Sequence, residues 1–100
     1  MHQAIYRYEF GEDLPMEDAQ ASLLLAIIGT ESLHGETTVQ LTLCHAMNVE
    51  GRSCVINAET AVGSDLNRLF TGFLRREFGP RAFRVRRIID RVKGKSTAAA

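Results

Sequence analysis

The sequence predicts an α+β domain with element order β-α-β-β-α-β, in which two helices pack on one face of a four-stranded antiparallel sheet. Three observations carry this expectation. Four short stretches, 4–10, 37–49, 52–59 and 82–88, alternate apolar with polar residues, the period of a half-buried strand. Two longer stretches, 16–34 and 64–78, repeat apolar residues at helical spacing. Gly35, Glu50-Gly51 and Gly79-Pro80 stand between these stretches as stop and turn signals.

The first strand reads AIYRYEF, with Ala4, Tyr6, Tyr8 and Phe10 on one face and Ile5, Arg7 and Glu9 on the other. GEDLP ends it. Pro15 suits a first helical turn, and Glu17 and Asp18 favour the positive end of the helix dipole. Met16, Ala19, Leu23, Ala26, Ile27 and Thr30 then recur on one side, Gly29 weakens the last turns, and Gly35 stops the helix. In 37–49, Val39, Leu41 and Leu43 oppose Gln40, Thr42 and Cys44. A turn centred on Glu50-Gly51 sets Met47 against Cys54, His45 against Ile56, Leu43 against Ala58 and Cys44 against Asn57. Cys44 and Cys54 therefore point to opposite faces. The second helix carries Leu66, Leu69, Phe70, Phe73, Leu74 and Phe78 as one apolar stripe, with Ser64 or Asp65 as its cap. In the last strand, Phe83 and Val85 alternate with Arg84 and Arg86.

This order, over residues 4 to about 89, resembles the ferredoxin-like superfold, the split βαβ arrangement. The resemblance implies strand order 4-1-3-2 and an open sheet face, with Arg84 and Arg86 beside Arg7 and Glu9. It implies no function, because the superfold hosts many.

One domain over residues 1–90 is expected, followed by a basic, then alanine-rich, flexible tail over 91–100. Residues 75–95 hold nine of the twelve basic side chains. Residues 1–65 carry ten acidic and two basic side chains, and residues 66–100 the reverse pattern, two acidic and ten basic. Much of this charge is expected to neutralise internally. The beginning, MHQAIYRYEFGED, lacks a basic segment followed by an apolar one, and the longest apolar run, Leu23 to Ile28, is too short for a membrane span. The expectation is a soluble, cytoplasmic protein without membrane contact, its two cysteines free.

The open face offers Arg7, Asn57, Gln40, Arg84 and Arg86 as candidate binding residues, but no stacking aromatics, and Glu9 and Glu59 dilute its charge. Nucleic-acid binding there is expected to be weak. Acylphosphatases share the element order, but the corresponding loop, GEDLPMED, carries Glu12, Asp13, Glu17 and Asp18, which repel an acyl phosphate. The heavy-metal carriers need a Cys-x-x-Cys that this loop lacks. The same four carboxylates are read as dipole partners rather than cation ligands. In AVGSDLN the Gly and Ser before a helix suggest an anion site, and Asp65 argues for capping instead. Cys44 and His45 are neighbours on a strand and point apart, so they form no nucleophile–base pair. No catalytic, cofactor-binding or metal-ligating set emerges.

The functional expectation is a non-enzymatic association or regulatory module, homo-oligomeric with a dimer favoured, taking a protein partner or a small ligand. Ala21, Leu24, Leu25 and Ile28 fall outside the sheet-facing side of the first helix and form the candidate oligomer interface. A rotated helix or a covering Ile88-Ile89 would remove that strip. The alternatives are nucleic-acid binding through the basic face and tail, and an enzyme with a cleft between subunits.

Overall fold

The computed structural model describes residues 4–88. In chain order these form β1 (Ile5–Phe10), α1 (Met16–His34), α2 (Glu36–Thr42), β2 (His45–Asn48), β3 (Ser53–Asn57), α3 (Ala61–Phe78) and β4 (Phe83–Ile88). The result is a mixed α+β fold: a four-stranded antiparallel sheet, ordered β2-β3-β1-β4, and three helices. The basic tail with Arg91, Lys93 and Lys95, and Ile89, lie outside the described residues.

The alternation in β1 sends Tyr8 and Phe10 into the core, where Cys54 and Ile56 join them from β3. Met16, Ala19, Leu23 and Ala26 of α1 and Leu66, Phe70 and Leu74 of α3 close the same cluster from above. Both long helices therefore cover one face of the sheet. Tyr8 stands at the centre of an aromatic group, its ring centroid 4.8 Å from that of Phe70 and 6.4 Å from those of Phe10 and Phe83.

The expected order β-α-β-β-α-β is corrected by α2. Residues 37–42, read from their alternation as the start of a strand, are helical within α2, and β2 keeps only His45–Asn48. Gly35 makes the break between α1 and α2 at φ 92°, a conformation that a side chain disfavours. Of the apolar residues in the apparent alternation, Val39 is buried, Leu43 is half-buried and Leu41 is 82% exposed. A single anchor at Val39 is satisfied by a short helix as well as by a strand, so the local β-branched content does not decide the outcome.

The hairpin register is as expected: His45 pairs with Ile56 and Met47 with Cys54. The Asn57 N–H donates to the Cys44 carbonyl at 3.0 Å, which carries the same register past the end of β2. Leu43 and Ala58 lie outside that ladder. The turn is held by Asn48 Oδ1, which accepts the Gly51 N–H at 2.9 Å, and by Arg52 at φ 52°.

Gly29 does not shorten α1. A Cβ there would come 3.1 Å from Leu69 Cδ1, so this glycine sits where α1 crosses close to α3. Nor do Ser64 or Asp65 cap α3: the helix begins at Ala61, and Thr60 Oγ1 accepts the Gly63 N–H at 3.0 Å. Asp65 instead meets His34, with Oδ2 2.7 Å from Nε2, tying the end of α1 to the first turns of α3.

Candidate functional site

Two surfaces bring the expected site residues into definite places. The first is the outer side of α1. Its buried residues are Met16, Ala19, Ser22, Leu23, Ala26 and Thr30. At about 100° per residue, Ala21, Leu24, Leu25 and Ile28 point directly away from them. Leu24 and Leu25 are each 58% exposed and Ile28 49%. The helix is thus not rotated toward the strip, and Ile88 lies in β4 opposite Ile5, away from it. Glu17 and Asp18 precede the strip, and Glu31 and Ser32 follow it, so a two-turn apolar patch has polar ends.

The strip continues into a groove that sequence reading did not find. Between the first half of α1 and the last turns of α3 lies a depression of about 330 Å³, lined by Ala21, Ser22, Leu25, Phe73 and Phe78, with charged residues at its rim. Phe73 and Phe78 belong to the apolar stripe of α3 but stay half-buried, because α1 covers only part of them. Their position depends on how two distant helices meet, which no local spacing encodes.

The second surface is the open sheet face. Arg7 stands opposite Arg86 and Glu9 opposite Arg84, as the neighbouring strands require. Glu9 Oε2 accepts from Arg7 Nε at 3.3 Å and from an Arg86 terminal nitrogen at 3.4 Å. Among the described residues, Glu9–Arg86 is the one ion pair joining the acidic segment before residue 66 to the basic segment after it. The expected internal neutralisation therefore does not occur by direct pairing there. Asn57 is on this face opposite Ile5, but its Oδ1 accepts the Glu59 N–H at 2.9 Å and shapes the turn after β3. Gln40 is corrected: it lies exposed on α2, not on the sheet.

Two polar arrangements also escaped the sequence. The buried Tyr8 hydroxyl lies 2.6 Å from Asn67 Oδ1 and 2.7 Å from Thr71 Oγ1, and Thr71 Oγ1 in turn donates to the Asn67 carbonyl at 2.8 Å. Burial raises the phenol well above its ordinary pKa. Asn67 and Thr71, four residues apart beside an apolar stripe, were the available signal. The Arg52 guanidinium donates to the carbonyls of Phe10, Gly11 and Leu14, and so clamps the loop after β1 to the hairpin. That role makes Arg52 structural.

Cys44 is exposed and Cys54 buried, both as free thiols; Cys44 lies just before β2, so it has no place on either sheet face. Among the described residues, no three His, Cys, Asp or Glu side chains gather as a metal site. No helix there is long and apolar enough to cross a membrane. The chain matches no protein-family model, no curated protein and no solved structure.

Proposed function

We propose that this chain is a ferredoxin-like association module that works as a homodimer, with the outer side of α1 as its interface. The observation that carries the reading is the placement of Leu24, Leu25 and Ile28, exposed on the side opposite the buried face. An isologous contact counts each residue twice. Completing the burial of three half-exposed side chains is worth roughly 1 kcal/mol each. Both copies together gain about 6 kcal/mol, near the lower part of the cost of association, about 4–15 kcal/mol. The strip alone leaves at most about 2 kcal/mol net, and Phe73 and Phe78 at its margin supply the further apolar surface that a dimer requires.

The groove between α1 and α3 has the size of a small-ligand site. A regulatory module that senses a small molecule beside its subunit boundary is consistent with that position. The open sheet face ranks second as a functional surface, because Glu9 partly neutralises Arg7 and Arg86.

The variant L24Q/I28Q tests the reading. Both positions face outward, so the double change should leave a folded chain that no longer associates. A variant that self-associates like the wild type overturns the assignment to α1.

A further inference from the structure

The strand β4 lies at one edge of the sheet, and among the described residues no strand pairs with its outer side. The Gly11 N–H donates to the Ala82 carbonyl at 2.8 Å, which sets the parity of the β1–β4 ladder. By the alternation of antiparallel pairs, the backbone groups of Arg84 and Arg86 face β1, and those of Phe83, Val85 and Arg87 face outward. The outer edge therefore presents a row of donors and acceptors with a strand's spacing.

The side chains beside that row have two characters. Phe83 and Val85 lie on the helix-covered side, packed against the core yet only half-buried. Arg84 and Arg86 stand exposed on the open side, and Arg87 is exposed as well. A strand laid against this edge would meet Phe83 and Val85, with Arg87 beyond them, on the covered face, and Arg84 and Arg86 on the open face. The complementary segment alternates acidic with apolar residues. Glu9 shows the chemistry these arginines accept, a carboxylate held between Arg7 and Arg86.

A second copy of this chain does not supply that segment from its sheet. Two β4 edges would oppose arginine with arginine, and β2, the other edge, reads HAMN and has no carboxylate. A nucleic acid offers phosphates but no alternating backbone partners for the outward groups of Val85 and Arg87, and Glu9 repels it. We propose that the outer edge of β4 captures an extended acidic-apolar segment of a partner protein and adds it to the sheet as a fifth strand. This goes beyond the α1 dimer and does not rest on it.

The test uses the full chain with a short peptide alternating glutamate and valine, followed by amide resonances and by fluorescence anisotropy. Binding is expected to protect the Val85 and Arg87 amides from exchange. Methylation of the peptide's alternate backbone nitrogens should abolish it. The exposed Arg84→Gln should weaken it roughly threefold, with a melting profile close to that of the wild type. The proposal is overturned if the peptide does not bind, if the methylated peptide binds equally, if an oligothymidylate binds more tightly, or if a lysine-valine peptide binds as well.

Discussion

The hydroxyl of Tyr8, at the centre of the sheet, lies 2.6 Å from the side-chain oxygen of Asn67 on α3. With Thr71 Oγ1 at 2.7 Å, it fastens β1 to the helix above it through a fully buried tyrosine. Replacing Tyr8 by Phe keeps the ring among Phe10, Phe70 and Phe83 but strips a partner from Asn67 and Thr71. A loss of about 1–3 kcal/mol is expected in urea denaturation. An unchanged midpoint would mean that the hydrogen bonds contribute nothing net.

Gly63 and Gly72 lie on the same helix and should respond oppositely to alanine. A Cβ at Gly63 would fall 2.0 Å from the Asn57 carbonyl oxygen, a clash with backbone that only displacement of α3 from β3 can relieve. Gly63→Ala should cost about 3 kcal/mol or prevent folding. A Cβ at Gly72 meets nothing within 4 Å, and Gly72→Ala should stabilise by about 0.5–1 kcal/mol. Thermal melts of the two variants check both signs.

Burial pushes the Cys54 thiol up to about 11. The folded chain then holds its proton where the unfolded chain, with a thiol pKa of about 8.5, has released it. Stability from this group is fully present below the unfolded value and falls as pH rises toward the folded one. Tyr8, also raised by burial, acts in the same direction at still higher pH. Urea midpoints should decline from neutral to strongly alkaline pH, and Cys54→Ala should flatten the first part of that decline. At mild pH a thiol reagent should label Cys44 and spare Cys54. Equal labelling of both would contradict the burial of Cys54.

Much of this architecture is legible in the residues. The stripe of α3 and the alternation of β1 are long or strong enough that local period and tertiary burial agree. The 37–42 segment fails because its alternation has a single true anchor, Val39, and because Gly35 permits a second helix to start at once. Thr60 caps α3 although Ser64 and Asp65, equally good by type, lie nearer the apolar stripe. Arg52 adopts a left-handed conformation beside Gly51, the residue that local preference would choose, because its guanidinium reaches three carbonyls of the first loop. On the candidate surface, Ala21, Leu24, Leu25 and Ile28 follow from a helical wheel. The groove with Phe73 and Phe78 does not, since it exists only where α1 and α3 meet.

The central claim is that the outer side of α1 joins two copies, and sedimentation of the wild-type chain over a wide concentration range tests it most directly. The mass should start near 11.1 kDa in dilute solution and rise toward twice that value as concentration increases. A mass that stays at 11.1 kDa up to the highest concentration would contradict the account.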